Sequence, residues 1–168
     1  MLSLTSDDCR LSATRKKRTP PTNWATADAI SSLTPLHTSE ILYPGAGSIA
    51  LDTDGELALF GGADGVAGIY SISQKQLLTP LKGDGGPITD VAWFGARPIT
   101  ASASGAVRIW DKEGSSNVKI GNHAGEVTAI TLHPCGDILS SVGVDKSWVT
   151  YDLNTGKPVC QVYTESGE

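Results

Sequence analysis

No stretch of 18 apolar residues and no charged-then-apolar leader occurs in these 168 residues, which argues against membrane spanning and against secretion. Cysteine is scarce. Cys9, Cys135 and Cys160 form neither a close pair nor a metal-ligand spacing, and an odd three fits a reduced, intracellular compartment. His133 and Cys135 lack the second pair that a tetrahedral zinc site requires. Asp52-Thr53-Asp54-Gly55-Glu56 opens like a calcium loop, but Ala63 stands where the bidentate Glu belongs, so a hairpin turn is the better reading. Gly61-Gly62 and Gly83 to Gly86 are followed by no helix and no Lys-Ser/Thr pair, so they are turns and not phosphate cradles. No cofactor, no metal and no catalytic residue is expected.

A broad basic surface is also lacking. Net charge is −5, and it is uneven: residues 1–35 carry five basic and three acidic side chains, leaving eight and fifteen for residues 36–168. That acidic body would repel a phosphate backbone on average, so direct nucleic-acid binding by it is not expected. The exception is Arg15-Lys16-Lys17-Arg18 ahead of Thr19-Pro20-Pro21, a compact basic cluster suited to nuclear import or to a solvated linker.

What the sequence does contain is a unit written three times. Its fullest copy runs from Gly121-Asn122-His123 through the alternation Val127 to Leu132, a turn at His133 to Asp137 and a second apolar run at Ile138 to Val142. Asp145, the pair Tyr151-Asp152, a turn at Asn154 to Lys157 and a last run at Pro158 to Val162 complete it. Shifted by 81, the first unit falls on the third without a gap: Ile49 on Ile130, Leu51 on Leu132, Gly55 on Gly136, Asp64 on Asp145, Tyr70 on Tyr151. The middle unit matches at 39 before a turn near Phe94 to Arg97 and at 41 after it (Trp110 on Tyr151, Asp111 on Asp152), so that turn has lost two residues. Four strands per unit, a period near 40 and a Trp-Asp close predict an all-β fold, an incomplete WD40 β-propeller of about three blades.

The predicted organisation is a disordered basic lead-in over 1–35 and a partial propeller over 36–168, with units of about 46–86, 87–125 and 126–167. Asn23 to Leu33 suits a short helical turn that docks through Trp24 and Ile30, and Leu36 to Leu42 reads as a strand ahead of the first blade. Blades are stable only between neighbours, and three leave two faces uncovered. The chain therefore reads as part of a longer protein or a truncated gene product, prone to aggregate or partly unfold when alone. A self-completing pair of three-blade halves is the alternative.

His123, Asp145 and Tyr151 occupy positions at which a buried His, an Asp, an aromatic and a strand hydroxyl form one hydrogen-bond chain in a blade. Asp64, Tyr70, Trp110 and Asp111 are candidates for the same network in the other units, which are degenerate: Asp84 replaces the His and Ser104 the Asp in the middle one. A Ser-His-Asp catalyst uses the same residue types, but the repeat spacing already accounts for them and no strained nucleophile turn is visible. Trp93, Trp110 and Trp148 lie in strands and are expected in cores, unless an exposed edge makes one an anchor for a partner.

Arg15-Lys16-Lys17-Arg18-Thr19-Pro20-Pro21-Thr22-Asn23-Trp24, the run Phe60-Gly61-Gly62-Ala63-Asp64, and Leu132-His133-Pro134-Cys135-Gly136-Asp137-Ile138-Leu139-Ser140-Ser141 resemble the pre-mRNA-processing factor 19 family, most closely its fungal members. The resemblance covers roughly residues 15–168. It implies a nuclear splicing factor and ubiquitin ligase with a U-box, a tetramerising coiled coil and a seven-blade propeller that recognises substrates, active in spliceosome activation and DNA repair. No U-box or coiled coil precedes Arg15 and about four blades are missing, so what carries over is a protein-binding scaffold in the nucleus. Its partners would be spliceosome components or ubiquitination substrates, with no membrane contact. A fragment of the ligase itself and a generic WD40 adaptor are the rival readings.

Overall fold

The computed structural model describes residues 45–83 and 86–164, together with Pro35 and Thr38. The basic cluster Arg15, Lys16, Lys17, Arg18, the helical turn expected at 23–33 and, apart from Thr38, the strand expected at 36–42 lie outside the described residues. All the described strands belong to the unit from Ile41 to Glu168.

Alternating side chains and turn residues every few positions produce twelve strands among the described residues. Sheet 1 contains β1 (Ser48–Leu51), β2 (Leu57–Gly61), β3 (Val66–Ser71) and β4 (Gln76–Lys82). Sheet 2 contains β5 (Ile88–Phe94), β6 (Arg97–Ser102), β7 (Ala106–Trp110) and β8 (Asn117–Asn122). Sheet 3 contains β9 (Val127–Leu132), β10 (Ile138–Gly143), β11 (Ser147–Asp152) and β12 (Lys157–Tyr163). Each is an antiparallel meander in chain order. The fold is the all-β, incomplete propeller that the sequence predicts, with no helix among the described residues.

The first hairpin of each sheet shows how local chemistry sets geometry. In sheets 1 and 3 it closes through Asp52 to Glu56 and His133 to Asp137. The Asp52 carboxylate accepts from the Glu56 and Leu57 amides at 2.9 and 3.1 Å and so braces the hairpin turn. In sheet 2, Phe94 pairs directly with Arg97, leaving only Gly95 and Ala96 between them. Gly95 has φ +57°, a value that a side chain would disfavour in so tight a turn.

First strands β1, β5 and β9 lie side by side. Asp90 on β5 ties them together, accepting from the Ser48 hydroxyl of β1 and the Ile130 amide of β9, both at 2.8 Å. Two apolar seams hold the sheets. Leu59, Ile69 and Leu81 of sheet 1 meet Val91, Trp93 and Trp110 of sheet 2; Ile99, Val107 and Ile109 of sheet 2 meet Leu139, Val149 and Tyr151 of sheet 3. At about 1.5–3 kcal/mol per large apolar side chain removed from water, these seams outweigh any single polar contact. Among the described residues, sheet 2 alone contributes to both seams.

Candidate functional site

His123 leaves β8 and enters the connection to β9, so it stands between sheets 2 and 3. Its backbone amide donates to the Gly105 carbonyl in the β6–β7 turn at 2.9 Å, while its ring reaches into sheet 3. There Nδ1 lies 3.1 Å from the Asp145 carboxylate and 2.9 Å from the Ser147 hydroxyl. On the other side Nε2 lies 2.7 Å from Ser141 Oγ, which in turn lies 3.1 Å from the Tyr151 hydroxyl. With Asp145 ionised, Nδ1 carries the ring proton, and Nε2 accepts from Ser141, whose oxygen accepts from Tyr151.

Asp145 is the anchor of the chain. Burial opposes its charge, but the Ala124 amide, the Ser147 hydroxyl, His123 and the Ser147 amide all donate to it and hold its carboxyl well below the usual carboxylate range. Burial pushes the Tyr151 phenol up, although its bond to Ser141 works the other way. One carboxylate thus fastens the inter-sheet connection, through Ala124 and His123, to the β10–β11 turn, through Ser147. Close packing completes the joint: a side chain on Gly121 of β8 would run into the Tyr151 hydroxyl.

The hydrogen bonds follow the Ser-His-Asp order of a hydrolase. They do not make one here. Ser141 is 1% exposed, sits mid-strand in β10 and is already bonded to Tyr151, so no carbonyl carbon can approach its oxygen.

The other sequence candidates divide. Trp110 occupies the position of Tyr151 and donates from Nε1 to Thr100 Oγ1 at 3.0 Å, Thr100 standing where Ser141 does. The Ser104 hydroxyl bonds to Ser102 at 2.7 Å; Asp84 lies outside the described residues. In sheet 1 the two hydroxyls are gone, because Phe60 replaces Ser141 and Val66 replaces Ser147. Asp64 accepts from the Val66 amide at 3.1 Å, and the Tyr70 hydroxyl is buried without a hydrogen-bond partner. Asp111 does not join the chain of Trp110; it closes the β7–β8 turn, accepting from the amides and hydroxyls of Ser115 and Ser116, and these hold its pKa at about 2. Asp152 and Ser71 brace the equivalent turns. Ser141 and Ser147 were not singled out from sequence. The match of Ser141 to Thr100 at a shift of 41 was the available signal for the first.

Trp93 and Trp110 are buried, and Trp93 donates from Nε1 to the Ala50 carbonyl across the first seam at 3.1 Å. Trp148 is left exposed on the outer face of sheet 3. His133 Nδ1 lies 2.9 Å from Cys135 Sγ within one turn. Among the described residues no group of three or more His, Cys, Asp or Glu side chains is placed to hold a metal ion.

Comparison with known proteins agrees with this geometry. Residues 114–152 match the family model described as "WD domain, G-beta repeat", a span that runs from the end of sheet 2 into sheet 3 and contains the whole His123 chain. Pre-mRNA-processing factor 19 homolog 2 of Arabidopsis thaliana is 33% identical over 97% of this chain and 33% of its own length. Pre-mRNA-processing factor 19 of Caenorhabditis elegans is 32% identical over 94% of this chain and 33% of its own length. A chain in the crystal structure of the mitotic checkpoint complex superposes with a TM-score of 0.65 at 21% identity, over 70% of this chain and 36% of that one, a likeness of fold alone. From relatives matched along nearly its whole length, the chain belongs to the Pre-mRNA-processing factor 19 family, and it spans about a third of the length of those relatives.

Proposed function

We propose that the chain is a non-catalytic WD40 scaffold of pre-mRNA processing, contributing protein contacts within splicing assemblies in the nucleus. The observation that carries this reading is the extent of the likeness. The WD-repeat match covers residues 114–152, yet the named relatives align over 94–97% of the chain, beyond what any repeat would share with a generic adaptor. In this reading the three units of about 46–86, 87–125 and 126–167 form the binding body. The network of His123, Asp145 and Tyr151 holds its surface in shape, and Arg15 to Arg18 serve import. The ubiquitin ligase activity and DNA repair role are what the resemblance implies for the whole protein, and in this reading the three units contribute recognition.

Affinity capture from nuclear extract tests the reading. The tagged chain is expected to enrich pre-mRNA-processing proteins over a surface-matched WD40 control. Recovery of the same set by both would replace it with the generic adaptor.

A further inference from the structure

Outside the His123 chain, the turn between β9 and β10 brings a base and a nucleophile together. The His133 amide donates to the Ile138 carbonyl and the Gly136 amide to the His133 carbonyl, both at 2.8 Å, so the turn is closed from both ends. Within it His133 Nδ1 lies 2.9 Å from Cys135 Sγ, and the Cys135 amide donates to the same nitrogen at 3.2 Å. An amide can only donate, so Nδ1 is the lone-pair nitrogen and Nε2 carries the ring proton. The thiol therefore donates to a free base, the pairing that activates a cysteine nucleophile.

Unlike Ser141, this pair is open to a reagent: His133 is exposed and Cys135 half-buried. The matching turn of sheet 2, which contributes to both seams, still exposes Gly95 and Ala96, so stacking of sheets does not cover this position. Cys160 of β12 is the more exposed thiol. It stands in a strand, and no ring nitrogen is placed beside it among the described residues, because His123 is held in the second seam and His133 by Cys135.

We propose that Cys135 is a site of reversible mixed-disulfide formation with a low-molecular-weight disulfide such as oxidised glutathione, with His133 as its base. Sγ passes its proton to His133 Nδ1 as it attacks one sulfur of the disulfide. The new Sγ–S bond forms as the old S–S bond breaks, and the departing thiolate takes the proton from Nδ1. Cys135 is oxidised, half of the disulfide leaves as a reduced thiol, and excess thiol reverses the step. No splicing partner is involved, so this site stands or falls separately from the proposed function.

Incubating the purified chain with oxidised glutathione, quenching with acid and mapping the modified peptides by mass gives the rate at each cysteine. General-base assistance is worth about 10²–10⁴-fold, so Cys135 is expected to react at least about tenfold faster than the more exposed Cys160. His133→Asn should abolish that lead and leave the Cys160 rate unchanged. In guanidinium the unmodified chain should also lose the lead, and this comparison decides even where the variant disturbs the turn. A Cys135 rate no greater than that of Cys160, a lead that survives His133→Asn, or one that survives in guanidinium would each overturn the proposal.

Discussion

The His123 side chain has no exposed surface, so neither ring nitrogen can turn to water for a partner. A buried polar atom left unmatched costs about 1–3 kcal/mol. Ser141→Ala strands both Nε2 and the Tyr151 hydroxyl and should lower stability by about 2 kcal/mol, whereas Tyr151→Phe should cost about 1 kcal/mol. Because both act on one chain of bonds, urea denaturation of the double variant should show a loss smaller than the sum of the two. Asp145 adds a pH dependence. Its carboxyl is held below the ordinary 3.8, so its stabilising contribution is complete above that value and is lost as pH falls toward the folded-state pKa. Asp111, lowered to about 2, acts in the same direction. The midpoint of thermal unfolding should therefore drop on acidification below pH 3.8. In Asp145→Asn that drop should be shallower but still present, and an unchanged acid limb would show that the carboxylate stabilises nothing.

Within each sheet the third and fourth strands meet at a turn whose first residue is Ser71, Asp111 or Asp152. Asp111 serves four donors across two serines, so removing its carboxylate opens the turn without touching the seam. Hydrogen exchange on Asp111→Ala should show faster exchange at the Ser115 and Ser116 amides, with those of Ile99 and Ile109 unchanged. Loss of protection throughout sheet 2 would instead place Asp111 in its core. This residue also shows a limit of repeat alignment. The Trp-Asp pair is legible as a motif, but its two members do different work: Trp110 ends β7 and faces the seam, while Asp111 opens the turn that follows.

Sheets that contact only their neighbours share stability unequally. Sheet 2 is covered on both sides, sheet 3 carries the complete His123 chain, and sheet 1 has one covered face and an unmatched Tyr70. Native-state hydrogen exchange should rank β6 and β7 slowest, sheet 3 next and sheet 1 fastest. Uniform protection would mean that the sheets open only together.

The sequence by itself determined the strands, the turns between them and the threefold repeat, because side-chain alternation and turn chemistry act over a few residues and recur at fixed spacing. It also placed His123, Asp145 and Tyr151 in one group. Only the tertiary structure decided that Ser141 and Ser147 complete the group, that it joins two sheets and not only one turn, and that Trp148 stays uncovered while Trp93 and Trp110 do not. The physical reason is distance along the chain. The partners of His123 lie 18 to 24 residues away, and they reach it only after separate strands have been paired and the sheets stacked.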